Sequence, residues 1–178
     1  LMRSQIVVGL AVSPDYANDR SVAVTTYMNG ASLSTDGGDS WRSINAGLEE
    51  DVLYRSGEDR FARLFGIAFS PDFVNDRRLV AARWTDMLTS SDAGGSWTSV
   101  KVIPGEKPPL QQFAFALTSD DKQVIALTGS RDGLVHRSTD GGRRYEAVGK
   151  LDGTVRSIVA IDDADSSTFL AATQRGIF

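Results

Sequence analysis

The segment Ser34-Thr35-Asp36-Gly37-Gly38-Asp39-Ser40-Trp41 returns as Ser90-Ser91-Asp92-Ala93-Gly94-Gly95-Ser96-Trp97 and again as Ser138-Thr139-Asp140-Gly141-Gly142-Arg143-Arg144-Tyr145. All three follow Ser-x-Asp-x-Gly-x-x-aromatic, starting 56 and then 48 residues apart. Each residue type has a use in a tight reversal between strands. Gly38, Gly94 and Gly142 accept a positive φ without a Cβ clash. Asp36, Asp92 and Asp140 offer a short carboxylate to backbone N–H groups inside the turn, and Ser34, Ser90 and Ser138 add a hydroxyl. Trp41, Trp97 and Tyr145 supply a large apolar body to fold against a neighbouring sheet. An acid or a metal ligand is needed once per site, whereas a turn clasp is needed once per repeat. The repetition therefore assigns the aspartates to structure.

Upstream of the first two boxes lies a second repeat. Ser13-Pro14-Asp15-Tyr16-Ala17-Asn18-Asp19-Arg20 matches Ser70-Pro71-Asp72-Phe73-Val74-Asn75-Asp76-Arg77 at six of eight positions, 57 residues on. Two motifs sharing nearly one offset define a structural repeat. Each unit reads as four strands: one before the Ser-Pro turn, one after it, one entering the box and one leaving it. The first strands, such as Ile6–Val12, are apolar on both sides and predict burial on both faces. No helical period is found, so the chain is predicted to be all-β.

These boxes resemble the Asp-box (BNR) repeat, whose members include sialidases, xyloglucanase-type glycoside hydrolases, sortilin-like receptors and photosystem II assembly factors. The resemblance implies a β-propeller with the boxes at its outer rim. Arg144 departs from the Thr or Ser usual before the aromatic, which implies a looser third box.

On this reading residues 1–178 form one propeller segment of about three and a half four-stranded blades. Blade 1 covers about 5–45, blade 2 about 63–101, blade 3 about 111–149, and a partial blade 4 about 153–178, with Gly176-Ile177-Phe178 opening its third strand. So few blades make a partial ring with exposed apolar blade faces. Further sequence, a second copy of the chain or a different capping partner would each cover them.

Composition narrows the functions. Hydrophobic residues form 41% and charged residues 24% of the chain, the balance of a folded protein. The net charge of −4 and the absence of a Lys/Arg cluster argue against nucleic acid as a partner. No apolar run reaches the length that spans a bilayer, so membrane insertion is not expected. Cysteine is absent and His136 is the single histidine, so neither a zinc site nor any other metal or cofactor is expected. His136 is expected at a surface position of its strand.

Two long connections, Asn45–Arg63 and Val102–Gln111, join an outer strand to the next inner one. Unequal connections on a regular scaffold mark a candidate binding face. Tyr54, Arg55, Arg60 and Arg63 lie in the first, and Arg83 and Trp84 end a second strand that points to the same face. No catalytic pattern accompanies them. The expectation is a non-enzymatic scaffold that binds a protein, or a glycan, through this face. The alternative is a glycoside hydrolase of sialidase or xyloglucanase type, which needs paired carboxylates or an arginine cluster. The resemblance implies an extracytoplasmic location, whether secreted, cell-surface or periplasmic.

Overall fold

Alternation of small and β-branched residues, punctuated by Gly- and Asp-rich turns, leaves the chain one economical solution: short antiparallel hairpins laid side by side. The computed structural model describes residues 6–26, 29–48, 64–83, 86–102, 112–120, 123–130, 132–162 and 167–178. The first sheet contains β1 (Val7–Val12), β2 (Val22–Thr26), β3 (Gly30–Ser34) and β4 (Arg42–Ser43). The second contains β5 (Leu64–Phe69), β6 (Leu79–Arg83), β7 (Asp86–Ser90) and β8 (Thr98–Lys101). The third contains β9 (Gln112–Asp120), β10 (Gln123–Ser130), β11 (Leu134–Ser138) and β12 (Glu146–Lys150). In all three the strands stand in sequence order, each paired with its neighbour. β13 (Val155–Asp162) and β14 (Ser167–Thr173) form a fourth, two-stranded sheet. Beyond β14, Phe178 exchanges both backbone hydrogen bonds with Ala171.

The contacts divide the chain into two compact units, Leu1–Arg83 with Leu88–Thr98, and Trp84–Met87 with Ser99–Phe178. Within the first, Ala23, Ala31 and Leu33 share one core with Ile67, Phe69, Leu79, Ala81 and Leu88, and half-buried Ala11 packs against it. Within the second unit, Ile158, Ala171 and Val155 pack with Val135 of β11.

Two expectations need correction. β1 is not buried on both faces: Leu10 and Val12 are exposed while Gly9 and Ala11 turn inward. The Ser-Pro repeat is also not a bare turn. Tyr16–Asp19 (α1) and Phe73–Asp76 (α2) each make a single helical turn, too short to leave a periodic signal. Arg20 and Arg77 close these turns in the left-handed region, at φ 49° and 53°.

A further regularity joins the sheets. Each first-to-second strand pair has an irregularity at the same place: between Val7 and Gly9, Leu64 and Gly66, Val155 and Ser157, and opposite Gly129 and Ser130 in the third sheet. The residue following it is Gly9, Gly66 or Ser157 in three of the sheets, all small. At Gly9 the reason is direct. A Cβ there would stand 2.4 Å from Thr25 Oγ1 and 2.9 Å from the Gly66 Cα. The inner strands approach so closely that a side chain would force them apart. Gly9→Ala is therefore expected to lower unfolding stability by about 1–3 kcal/mol, the usual range for overpacking. Urea unfolding of the two proteins measures this, and a loss below about 0.5 kcal/mol would show the strand contact to be slack.

Candidate functional site

The three boxes repeat one hydrogen-bond circuit. The hydroxyls of Ser34, Ser90 and Ser138 donate to Asp36, Asp92 and Asp140 Oδ1 at 2.6, 2.7 and 2.8 Å. The same hydroxyls accept from the Gly38, Gly94 and Gly142 amides at 2.8, 2.8 and 2.9 Å. Each aspartate Oδ1 then accepts the amide four positions along, from Ser40, Ser96 or Arg144, at 2.9, 2.8 and 2.9 Å. Ser40 and Ser96 also donate their hydroxyls to the second carboxylate oxygen. Arg144 has no hydroxyl to place there. In its box the Arg143 amide adds a bond to Asp140 Oδ1 at 2.9 Å.

These donors favour the ionised carboxylate. The hydroxyls of Ser34 and then Ser40 hold Asp36 well below the ordinary carboxylate range. Ser96, then Ser90, hold Asp92 down at about 2. Burial pushes Asp140 up, but the Ser138 hydroxyl and the Arg144 and Arg143 amides outweigh it and leave the group lowered. Groups ionised this firmly are poor general acids at neutral pH.

Two successive positions of each turn take a positive φ. Gly37 and Gly38 have φ of 81° and 102°, and Gly141 and Gly142 have 72° and 86°. In the second box Ala93 adopts φ 55° ahead of Gly94 at 81°. That left-handed alanine is held by a link invisible in the sequence: its amide donates to the Arg77 carbonyl at 2.8 Å. Gly37 donates likewise to the Arg20 carbonyl at 2.9 Å. The two sequence repeats share an offset because the helical turn of one docks onto the box of the other. Inside the helical turn, Ser13 and Ser70 donate to Asp19 and Asp76 at 2.6 and 2.7 Å.

The aromatic of each box is used differently. The Trp97 ring is buried, and its indole N–H donates to the Ile44 carbonyl at 2.6 Å, joining second sheet to first. Arg42 donates back to the Ala93 carbonyl at 2.7 Å. Trp41 is half-buried and donates to Gly38 in its own turn at 3.0 Å. Tyr145 has its hydroxyl buried without a partner, and burial, then the nearby Asp140 charge, push its pKa up.

Of the candidate binding face, Arg83 is described: it is half-buried at the end of β6, opposite Leu64. Tyr54, Arg55, Arg60, Arg63 and Trp84 lie outside the described residues. The first long connection leaves the sheet under control of Asn45, whose amide accepts from Ala31 N at 2.7 Å and donates to Asn29 O at 3.0 Å. This side chain takes over where the two-residue β4 ends. His136 corrects the sequence reading, since it is buried on β11 with Nδ1 unpartnered. Burial holds its pKa down, against a smaller upward pull from Asp132. Among the described residues no three His, Cys, Asp or Glu side chains gather to hold a metal, and no helix is long and apolar enough to cross a membrane.

No protein-family model and no curated protein sequence matches the chain. Solved structures do match. An ancestral GH74 enzyme superposes at TM-score 0.68 and 18% identity, over 98% of this chain and 22% of its own. YCF48 bound to a D1 peptide superposes at 0.63 and 16%, over 96% of this chain and 48% of its own. The extracellular domain of a hybrid two-component system from B. thetaiotaomicron gives 0.63 and 14%, over 97% and 20%. All are built of propeller blades. The fold is a β-propeller. Its four-stranded sheets are blades, and the chain spans between about a fifth and a half of the length of these propellers.

Two outcomes test the box chemistry. Asp92→Asn is expected to destabilise the propeller at neutral pH, where the native carboxylate is ionised and fully bonded. Because its pKa is lowered by folding, the contribution of Asp92 is complete above the ordinary carboxylate value near 3.8 and fades as pH falls through about 2. Denaturant midpoints of wild type and variant should converge across that window, and a constant gap would contradict the assignment. Tyr145→Phe removes a buried hydroxyl that lacks a partner, so stability should hold or rise by up to about 1 kcal/mol. A clear loss in thermal unfolding would reveal a hydrogen bond at that oxygen.

Proposed function

We propose that this propeller segment is a non-enzymatic, extracytoplasmic scaffold that binds a protein, or a glycan, through its connections between blades. The observation that carries the reading is the full engagement of the box aspartates. Each carboxylate is tied to hydroxyls and amides of its own turn and kept ionised there. The conspicuous acids of the chain are thereby accounted for as clasps, which leaves recognition to the connections. The connection over 45–63 is the longest, and it concentrates Tyr54, Arg55, Arg60 and Arg63 with several acids. Arginine and tyrosine are the residue types that dominate binding energy at protein surfaces. YCF48, a propeller of similar build, has been captured with a peptide bound, which supports polypeptide as the ligand class. The extracellular propeller of the two-component system supports the location.

Glycoside hydrolysis is the second reading, favoured by the match to a GH74 enzyme. The two readings separate in one experiment. The 178-residue chain is offered to extracts of its source and to a panel of β-glucans and fluorogenic sialosides. Binding predicts retention of a specific polypeptide or glycan, weakened about tenfold or more when Arg55, Arg60 and Arg63 are changed to Ala, with no turnover. Turnover that vanishes when a single loop acid is changed would replace the scaffold with a hydrolase.

A further inference from the structure

His136 is the single histidine of the chain, and neither the boxes nor the proposed binding role makes use of it. Counted back from the box serine, it stands where Leu88 stands in the second blade, two positions before Ser138 and Ser90. Leu88 is 2% exposed and belongs to the core shared by the first two blades. His136 is 4% exposed. A strand turns successive side chains to opposite faces, and Val135 fills one face of β11 together with Val155, Ile158 and Ala171. The imidazole takes the other face, at a position the second blade gives to an apolar side chain.

The surroundings suit the neutral ring and not its cation. Nδ1 is buried without a hydrogen-bond partner. A neutral imidazole can leave one nitrogen without a proton, whereas the cation needs acceptors for two N–H groups. A buried charge without partners also costs far more than a buried polar atom. The cross-strand neighbours of His136 are Thr128 on β10 and Ala147 on β12, and neither titrates. β10 carries no charged residue. The charged residues of β11, of β12 and of the turn before β11 are Asp132, Arg137, Glu146 and Lys150, all exposed. Arg137 and Glu146 pair with each other, one step from His136, and so share the opposite face. Lys150 pairs with Leu134 on the face of His136 and has the wrong sign to receive an imidazolium. Among the described residues Asp132 alone draws the ring toward its charged form, and burial outweighs it.

We infer that His136 makes the third blade acid-sensitive: once protonated in mildly acidic surroundings, the ring cannot stay packed, and the blade loosens. The inference rests on the packing of β11 and is independent of the ligand read for the connections.

The direction follows from linkage. Folding lowers the pKa from its ordinary value of about 6.5, so the unfolded chain takes up the proton first. The stability tied to the neutral ring is complete above that value and is lost as pH falls below it. The box aspartates are held ionised by their donors and stay out of this range. Histidine is the one side chain that ordinarily titrates there, so the window from pH 7.5 to 5.5 reads a single group.

Two measurements on the 178-residue chain test this. Its one histidine gives one imidazole Cε1–H resonance, and NMR titration of the native protein should place the midpoint below 6.5. Urea denaturation should show the unfolding equilibrium constant rising as pH falls from 7.5 to 5.5, by up to about tenfold if the native ring stays neutral throughout. His136→Leu installs the residue of the second blade, and its unfolding constant should be flat over the same range. A native midpoint at or above 6.5 would overturn the inference whether or not the leucine variant folds. A pH response that His136→Leu leaves unchanged would overturn it as well.

Discussion

A serine hydroxyl that donates to an aspartate while accepting from a glycine amide is the constraint on which each of the three four-stranded blades depends. The circuit runs Ser34–Asp36–Gly38, Ser90–Asp92–Gly94 and Ser138–Asp140–Gly142, with every separation between 2.6 and 2.9 Å. A hydroxyl has one proton to give and can accept in return, so it fixes two groups at once. With two consecutive residues held at positive φ, the turn has few alternatives. Everything attached to it then falls into place: the next amide on the carboxylate, the aromatic at the far end, and the amide that reaches the Arg20 or Arg77 carbonyl.

From the turn the constraint passes to the joint between blades. Trp97 follows its box directly, and its indole N–H closes on the Ile44 carbonyl while its ring fills the core between first and second blades. Gly94 must be small there, because a Cβ would lie 2.6 Å from the Ile44 Cβ. At the opposite end of the blade, the close passage of Gly9 past Gly66 sets the same spacing. A clasp at the outer strands and a glycine crossing at the inner ones hold neighbouring sheets at a defined separation, and the apolar side chains between them fill it. The polar circuit supplies geometry and the core supplies most of the stabilisation, as expected when individual net hydrogen bonds are worth about 1 kcal/mol.

Features that repeat, and whose chemistry is local, were legible in the sequence. Ser34, Asp36, Gly38 and their counterparts announced both the turn and its partners because every bond lies within five residues. Strand order followed from the same periodicity. What escaped depended on distance. Arg20 and Arg77 are left-handed because each ends a helical turn, its amide bonded to the Tyr16 or Phe73 carbonyl, and that turn is too short to read from the sequence; the carbonyl each offers to a box well over a dozen residues away is equally hidden. Ala93 sits where glycine serves in the other two boxes, held by its amide bond to Arg77, the Arg42 bond to its carbonyl and burial in the core. His136 reads as a surface residue between Val135 and Arg137, yet both Val135 and His136 are buried, on successive positions of a strand paired on both sides. The apolar run of Ile6–Val12 spoke for burial on both sides, whereas Leu10 and Val12 are exposed, because a strand's own residues do not specify what packs against it.

The boxes identify the architecture and for the same reason say little about what the molecule does. A residue whose polar atoms are spent on its own turn has nothing left for a ligand, and here that applies to the very residues that make the repeat recognisable. Regularity and function therefore divide the chain between them. The parts that recur from blade to blade set the spacing of a rigid frame, and the connections that break the pattern are free to differ. The connection over 45–63 is several times longer than the one between Lys150 and Val155, although both link an outer strand to the next inner one. By composition the added residues bring arginine, tyrosine and carboxylate, the chemistry that the proposed binding role draws on.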